Sequence, residues 1–231
     1  MAKKEDLRVV KTKYILKKAL IDLTNEKGFD NVSVIDIVKK ANVNVKYTVI
    51  APYAASLYLS TNKVIPNSYI LVDIGHSLTT VAQISHETNV INSTIIKFGG
   101  HDITKAIAER FNISFDEAEE LKQNYGIDHD LNFNTYILND IKLNDLADVI
   151  TKKLDVLIEQ VDKTIKEFCT NNEQYPVVLT GGTSNLNNIK NYMSDALDLD
   201  VVDYPLLTIG ARKFELINTL GVIKYWAIQP V

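Results

Sequence analysis

The sequence predicts an α/β fold preceded by a short, entirely helical segment. Two apolar runs, Tyr69 to Asp73 and Val177 to Thr180, are typical of buried strands, and glycine-containing turns follow both. Between them, apolar residues recur every three or four positions from Leu143 to Phe168, which predicts one long helix that faces the core rather than a coiled coil. Strands that alternate with helices favour a sheet covered by helices.

The charge of the chain is unevenly distributed. Of the 231 residues, 46% are hydrophobic and 23% charged, as expected of a globular protein with one or two domains. Residues 1–46 hold 11 Lys/Arg against 6 Asp/Glu, whereas the remainder holds 14 against 23, for a net charge of -4. This asymmetry indicates two segments of different origin or with different partners. The basic end could bind nucleic acid, although a solvated helix face is the plainer interpretation.

The sequence favours a reducing, cytoplasmic setting. Cys169 is the single cysteine of the chain, which excludes an internal disulfide. No apolar run approaches the roughly 18 residues of a membrane span, so we expect no transmembrane segment. The N-terminus lacks the apolar core of a signal peptide, so we expect no export.

The N-terminal segment predicts two helices and then a strand. The first helix covers Val9 to Glu26 and ends before Gly28. The second covers Val34 to Lys40 and follows a capping residue, Asn31 or Ser33. The β-branched and aromatic run from Val45 to Ile50 favours a strand, and Pro52 disfavours a helix there.

The other elements are assigned by the same patterns. A capping box at Ser114 opens one of these helices, and a polar loop with a short strand is expected over residues 127–140. The predicted strands are Leu78 to Ser85, Val90 to Phe98 and Val201-Val202, and the predicted helices are Asp102 to Phe111, Ser114 to Tyr125, Leu186 to Leu197 and Arg212 to Trp226.

The first candidate site motif is LVDIGHSLTT, from Leu71 to Thr80. Its turn can bind phosphate through backbone N–H groups, because Gly75 has no side chain to block the approach. A carboxylate at the strand end, Asp73, suits a hydrated Mg²⁺. The candidate nucleotide-binding residues are Asp73, Gly75, His76, Ser77 and Thr79, with Asp73 also the candidate metal ligand. The alternative is an ordinary hairpin turn.

The second motif is VVLTGGTSNL, from Val177 to Leu186. Gly181 and Gly182 leave bare backbone against which a base or ribose could lie, and Thr183 and Ser184 would open the next helix. A purely structural strand-to-helix turn is the alternative.

The third motif runs from Phe98 to Gly126. Gly99 and Gly100 precede a helix, and Glu119 and Lys122 are three positions apart, which places them on one side of the following helix. A surface Glu–Lys pair is the alternative.

In order and separation, the three motifs resemble the FtsA family of bacterial cell-division proteins over residues 45–231. The resemblance implies an actin-like (ribonuclease H-like) nucleotide-binding half-domain that binds ATP or ADP with Mg²⁺. It implies that Glu119 and Lys122 reach the ribose. The other candidate nucleotide-binding residues of the second and third motifs are Gly99, Gly100, Gly181, Gly182, Thr183 and Ser184. The sequence departs from the family at His76, Ser77 and Leu78, where Gly, Gly and Thr are usual, and this bulkier turn would bind phosphate less well.

The resemblance also implies partners and a reduced activity. Residues 100–150 would dock the C-terminal tail of the tubulin-like FtsZ or another divisome protein at the division site, and self-association stays open. Residues 1–68 show no first phosphate loop, and the chain ends without the family's amphipathic membrane tail. We therefore expect weak ATP or ADP binding with little hydrolysis and assign no catalytic residue.

The segment from Lys11 to Asn44 resembles the start of a TetR-family helix-turn-helix domain, so that residues 1–44 form a separate basic segment. The run from Val45 replaces the recognition helix, which leaves non-specific phosphate contacts by Lys39, Lys40 and Lys46. A TetR-like transcriptional regulator is therefore the alternative function. A sugar kinase ranks last, because no substrate domain is present.

Overall fold

The computed structural model describes residues 7–45, 47–61, 65–86, 88–128, 135–138, 140–169, 173–202 and 216–229. The chain divides into two compact units, Met1–Thr48 and Val49–Val231. Helices and strands are numbered below in chain order.

The first unit contains the two predicted helices. Helix α1 spans Leu7–Lys27, and a short 3-10 turn leads from it to helix α2, Val34–Lys40. Gly28 follows α1 with φ 80°, a conformation that glycine adopts at little cost. Ser33 caps α2 by accepting a hydrogen bond from the amide of Asp36, whose carboxylate in turn accepts from the Ser33 amide.

The predicted strand from Val45 to Ile50 is wrong. The described residues of this run have no regular structure, and helix α3, Ala51–Leu59, begins immediately after Ile50. Pro52 lies in the first turn of α3. A backbone N–H at that position has no acceptor within the helix, so proline loses no hydrogen bond there, and its fixed φ favours the helix. The burial of the apolar helix α3 therefore outweighed the strand propensity of the residues before it.

The second unit is built on a five-stranded sheet with strand order β3-β2-β1-β6-β7. Strand β1 is antiparallel to β2 and parallel to β6, so β1 and β6 end at the same edge of the sheet. This is the central buried position predicted from the continuous apolar run of β1. The strands are β1 Tyr69–Ile74, β2 Thr79–Ser85, β3 Asn89–Ile96, β6 Val177–Thr180 and β7 Val201–Val202.

Four helices pack into the main hydrophobic core on one face of the sheet. They are α4 Gly100–Phe111, α5 Phe115–Tyr125, α6 Leu143–Phe168 and α7 Ile189–Leu197. The apolar stripe of α6, including Ile150, Leu154 and Leu157, is fully buried in this core, which confirms a core-facing helix rather than a coiled coil. A small hairpin, β4 Tyr136–Leu138 with β5 Ile141–Lys142, precedes α6.

Helices α3 and α8, Ile217–Ala227, cover the opposite face. A Cβ atom on Gly221 of α8 would lie 1.7 Å from the carbonyl oxygen of Ala54, so these helices approach as closely as their backbones allow. The first residues of the predicted final helix, 212–215, lie outside the described residues. Helix α7 begins at Ile189 rather than at Leu186, because Gly182–Asn185 first form a 3-10 turn.

Candidate functional site

A cleft of about 650 Å³ opens at the sheet edge where β1 and β6 end. It brings together parts of all three sequence motifs with the start of α8. The residues that line it are Asp73, Gly75, His76, Gly100, Glu119, Lys122, Gln123, Gly181, Gly182, Thr183, Asn185, Leu186 and Asn218.

The turn after β1 is hydrogen-bonded to the start of α4. The amide of Gly100 donates to the carbonyl oxygen of Gly75 at 3.0 Å, and that of His101 donates to His76 at 2.7 Å. The Gly75 amide itself donates to Leu78 across the turn, at 2.9 Å. Gly75 therefore offers no free N–H to a phosphate. The amides of His76 and Ser77 have no acceptor among the described residues and are the available donors of this turn.

Two glycines allow the walls of the cleft to approach each other. A Cβ on Gly100 would lie 2.6 Å from the hydroxyl of Thr183. Gly181 has φ 89°, and a Cβ there would lie 2.5 Å from Oδ1 of Asp73. The Thr183 hydroxyl also donates to the carbonyl oxygen of Gly75 at 3.1 Å, so the turns after β1 and β6 are joined directly.

Four of the predicted site residues do not line the cleft. Thr79 is buried and donates to the carbonyl oxygen of Phe98, and the Ser184 hydroxyl donates to Gly181. Gly99 packs so closely on the turn after β1 that a Cβ would lie 2.4 Å from the carbonyl oxygen of His76. Ser77 is exposed beside the cleft. Thr79, Ser184 and Gly99 therefore support the backbone behind the cleft walls.

Glu119 and Lys122 of α5 form a partly buried ion pair with a nitrogen–oxygen distance of 2.6 Å. Lys122 is only 5% exposed and also donates to the hydroxyl of Thr104 at 2.7 Å and to the carbonyl oxygen of Gly100 at 3.1 Å. Burial raises the pKa of Glu119, but hydrogen bonds from Lys122, Thr104 and Gln123 outweigh it and leave the pKa below its ordinary value. The pair is therefore an ionised link between α4 and α5 at the cleft wall.

Asn218 is a cleft residue that the sequence motifs missed. Its side-chain amide donates to Oδ2 of Asp73 at 2.8 Å, although the two residues are 145 positions apart. Gln123 was also missed; it donates to Oε1 of Glu119 at 2.7 Å, and its place one turn after Glu119 could have indicated this contact. No sequence pattern links Asn218 to Asp73.

The oxygen atoms at Asp73 and Asn218 suit the magnesium ion of a nucleotide complex. The described residues contain no cluster of three or more His, Cys, Asp or Glu side chains that could hold a metal on their own. Mg²⁺ commonly needs only one or two carboxylates, because phosphates and water complete its coordination. Asp73 supplies such a carboxylate, and the buried Oδ1 of Asn218 beside it lacks a donor among the described residues.

The lysines assigned to DNA lie in the first unit or outside the described residues. Lys39 is exposed, whereas Lys40 forms an ion pair of 2.5 Å with Glu26. Lys46 lies outside the described residues.

Comparison with known proteins identifies the family. The model of the family described as cell division protein FtsA matches residues 70–213, more than half of the chain. The chain belongs to the FtsA family. An FtsA of Staphylococcus epidermidis is 27% identical over 164 residues, which cover 66% of this chain and 35% of that protein. An FtsA of Enterococcus faecalis is 24% identical over 201 residues, or 82% of this chain and 46% of that protein. This FtsA-family chain thus spans less than half the length of these relatives.

Solved structures confirm the actin-like fold. The PilM-PilN type IV pilus biogenesis complex aligns with a TM-score of 0.66 at 18% identity, over 85% of this chain and 57% of that chain. MreB 5 of Spiroplasma citri bound to AMPPNP aligns with a TM-score of 0.58 at 17% identity, over 84% and 65% of the two chains. The comparisons give the TetR resemblance no support. Within the described residues, the helices are too short or too polar to cross a membrane.

Proposed function

We propose that this FtsA-family chain is a nucleotide-binding and protein-interaction module of the bacterial division machinery, with ATP or ADP as its ligand. The main support for this proposal is that residues of all three turn motifs line one cleft. A wall of bare backbone at Gly181 and Gly182 suits a flat base or ribose. The opposite wall offers the amide of His76, and the amide of Ser77 lies beside the cleft; neither amide has an acceptor among the described residues.

The charges at the cleft also support a magnesium nucleotide. Lys122 and Glu119 lie at the cleft wall as an ion pair, and we expect this pair to reach the ribose of the nucleotide. Asp73 would hold the Mg²⁺, which neutralises phosphate charge when it is bound. We expect little hydrolysis, because both carboxylates that line the cleft already accept hydrogen bonds, Asp73 from Asn218 and Glu119 from Lys122.

Calorimetric titration with ATP and Mg²⁺ tests this proposal. The native chain should bind, and Asp73→Ala should weaken binding by about tenfold or more, since interactions with a charged group contribute roughly 1.5–3 kcal/mol. Asp148→Ala, which removes an exposed carboxylate from α6, is the charge-matched control and should bind like the native chain. Binding that Asp73→Ala leaves unchanged would exclude this cleft.

The interaction role is proposed from family membership and from residues 100–150, which contribute exposed surfaces of α4, α5 and the start of α6. The partner would be an FtsZ-like tubulin homologue, whose C-terminal tail would dock on this region at the division site. Fluorescence polarisation with a labelled FtsZ tail peptide should show saturable binding, and a scrambled peptide should not bind. Equal signals from both peptides would contradict the proposed partner.

A further inference from the structure

The side chain of Asn218 has one satisfied and one unsatisfied end. Its Nδ2 lies 2.8 Å from Oδ2 of Asp73. An ionised carboxylate only accepts hydrogen bonds, so the NH₂ group must face Asp73 and Oδ1 must point elsewhere. This Oδ1 is buried and has no donor among the described residues.

A second buried oxygen belongs to Thr180, which neighbours Asp73 in the sheet. Thr180 is the register partner of Asp73 in the parallel β1–β6 pair, so both side chains leave the sheet on the face that α8 covers. Thr180 is 1% exposed, and its hydroxyl has no hydrogen-bond partner within the described ranges. Two buried oxygens, one on Asn218 and one on the sheet neighbour of Asp73, therefore have no partner among the described residues, and such groups are unfavourable unless a ligand or water satisfies them.

We infer that Asn218 is a positioning residue for the cation of the nucleotide complex. It orients the carboxylate of Asp73, and its Oδ1 accepts a hydrogen bond from the hydration shell of Mg²⁺. This inference rests on the proposed function, because it assigns Asn218 to the phosphate side of that cleft. A hydrated Mg²⁺ suits the unpartnered Oδ1 of Asn218, a residue of the cleft lining, since its water molecules are strong hydrogen-bond donors.

The charged groups around the site agree with this assignment. Asp73 is the acidic residue to which Asn218 donates a hydrogen bond, and Glu119, the other carboxylate of the cleft, is neutralised by Lys122. Lys224, on the same helix as Asn218, binds the carbonyl oxygen of Leu57 and the hydroxyl of Ser60 instead. A cation at Asp73 would thus meet one uncompensated negative charge.

The test compares Asn218→Leu with the native chain in ADP titrations, once with Mg²⁺ and once with a chelator. Leucine has a similar size but neither donor nor acceptor. We expect affinity with Mg²⁺ to fall about tenfold and affinity without Mg²⁺ to stay unchanged. Thr219→Val, at an exposed neighbouring position on α8, is the control. If Asn218→Leu lost equal affinity for ADP with Mg²⁺ and with the chelator, the role of Asn218 would be merely structural. If Mg²⁺ changed the ADP affinity of the variant as much as that of the native chain, the inference would also be overturned.

A second readout needs no nucleotide. Asn218→Asp places a second carboxylate beside Asp73, so Mg²⁺ alone should raise its melting temperature more than that of the native chain, and Asn218→Leu should show no such rise. If the native chain binds no ADP, the proposed function fails, and these melting shifts still decide the role of Asn218. Identical Mg²⁺ shifts in all three proteins would contradict it.

Discussion

The ammonium group of Lys122 donates a 3.1 Å hydrogen bond to the carbonyl oxygen of Gly100, the first residue of α4. Because Lys122 belongs to α5, this bond joins two helices at the wall of the cleft. The same nitrogen lies 2.6 Å from Oε2 of Glu119, so one buried charge holds a backbone group and a carboxylate together. The stability of the second unit should depend on it.

Replacing this lysine should destabilise the protein. Lys122→Met keeps most of the side-chain volume but removes the cation beside Glu119 and one of the two donors to the Gly100 carbonyl. We expect a loss of about 1–3 kcal/mol, between the values for exposed and buried pairs. Urea unfolding followed by circular dichroism measures this. The exposed pair of Lys166 and Asp162 provides the control, since Lys166→Met should cost less than about 0.5 kcal/mol. Equal effects of the two variants would contradict the buried link.

The lowered pKa of Glu119 predicts an acid-sensitive contribution to stability. The folded chain binds the Glu119 proton more weakly than the unfolded chain, so protonation favours unfolding. The contribution is present above the ordinary glutamate pKa of 4.5 and is lost as pH falls through the lower folded value. Unfolding free energies measured from pH 7 downward should therefore decline less steeply below pH 4.5 in Glu119→Gln than in the native chain. Parallel curves would show that Glu119 is not stabilised as an anion.

Because α3 and α8 are in close contact, replacing Gly221 by alanine should destabilise the protein, whereas Gly→Ala in a helix usually stabilises it. Gly→Ala in an exposed helix usually stabilises by about 0.5–1 kcal/mol. At Gly221 the added Cβ would lie 1.7 Å from the carbonyl oxygen of Ala54, so Gly221→Ala should instead destabilise by about 1–3 kcal/mol. The shift in melting temperature gives the sign, and a rise would mean that the helices are farther apart.

The sequence predicted most of the sheet, because a buried strand such as β1 is apolar at every position except Asp73. It also predicted α6, whose long stripe packs on the core. It failed from Val45 to Ile50, where the β-branched residues pair with none of the described strands, and a helix starts at Ala51. Strand propensity depends on such packing, which a local pattern does not contain.

For the cleft, the sequence predicted the turns but not the hydrogen bonds between them. Glycines after apolar strands marked the turns of Gly75 and Gly181. The engagement of the Gly75 amide by Leu78 depends on the shape of the turn, which its residue types do not specify. The contact between Asn218 and Asp73 depends on how α8 packs on the sheet and has no local signal.

Nucleotide binding in this cleft is tested most directly by the amide signals of the nine glycines in an NMR titration with ADP and Mg²⁺. We predict that the signals of Gly75, Gly100, Gly181 and Gly182 shift in a saturable way, whereas that of Gly221, packed on Ala54, stays in place. A spectrum unchanged at millimolar ADP, or shifts confined to glycines outside the cleft, would contradict the claim.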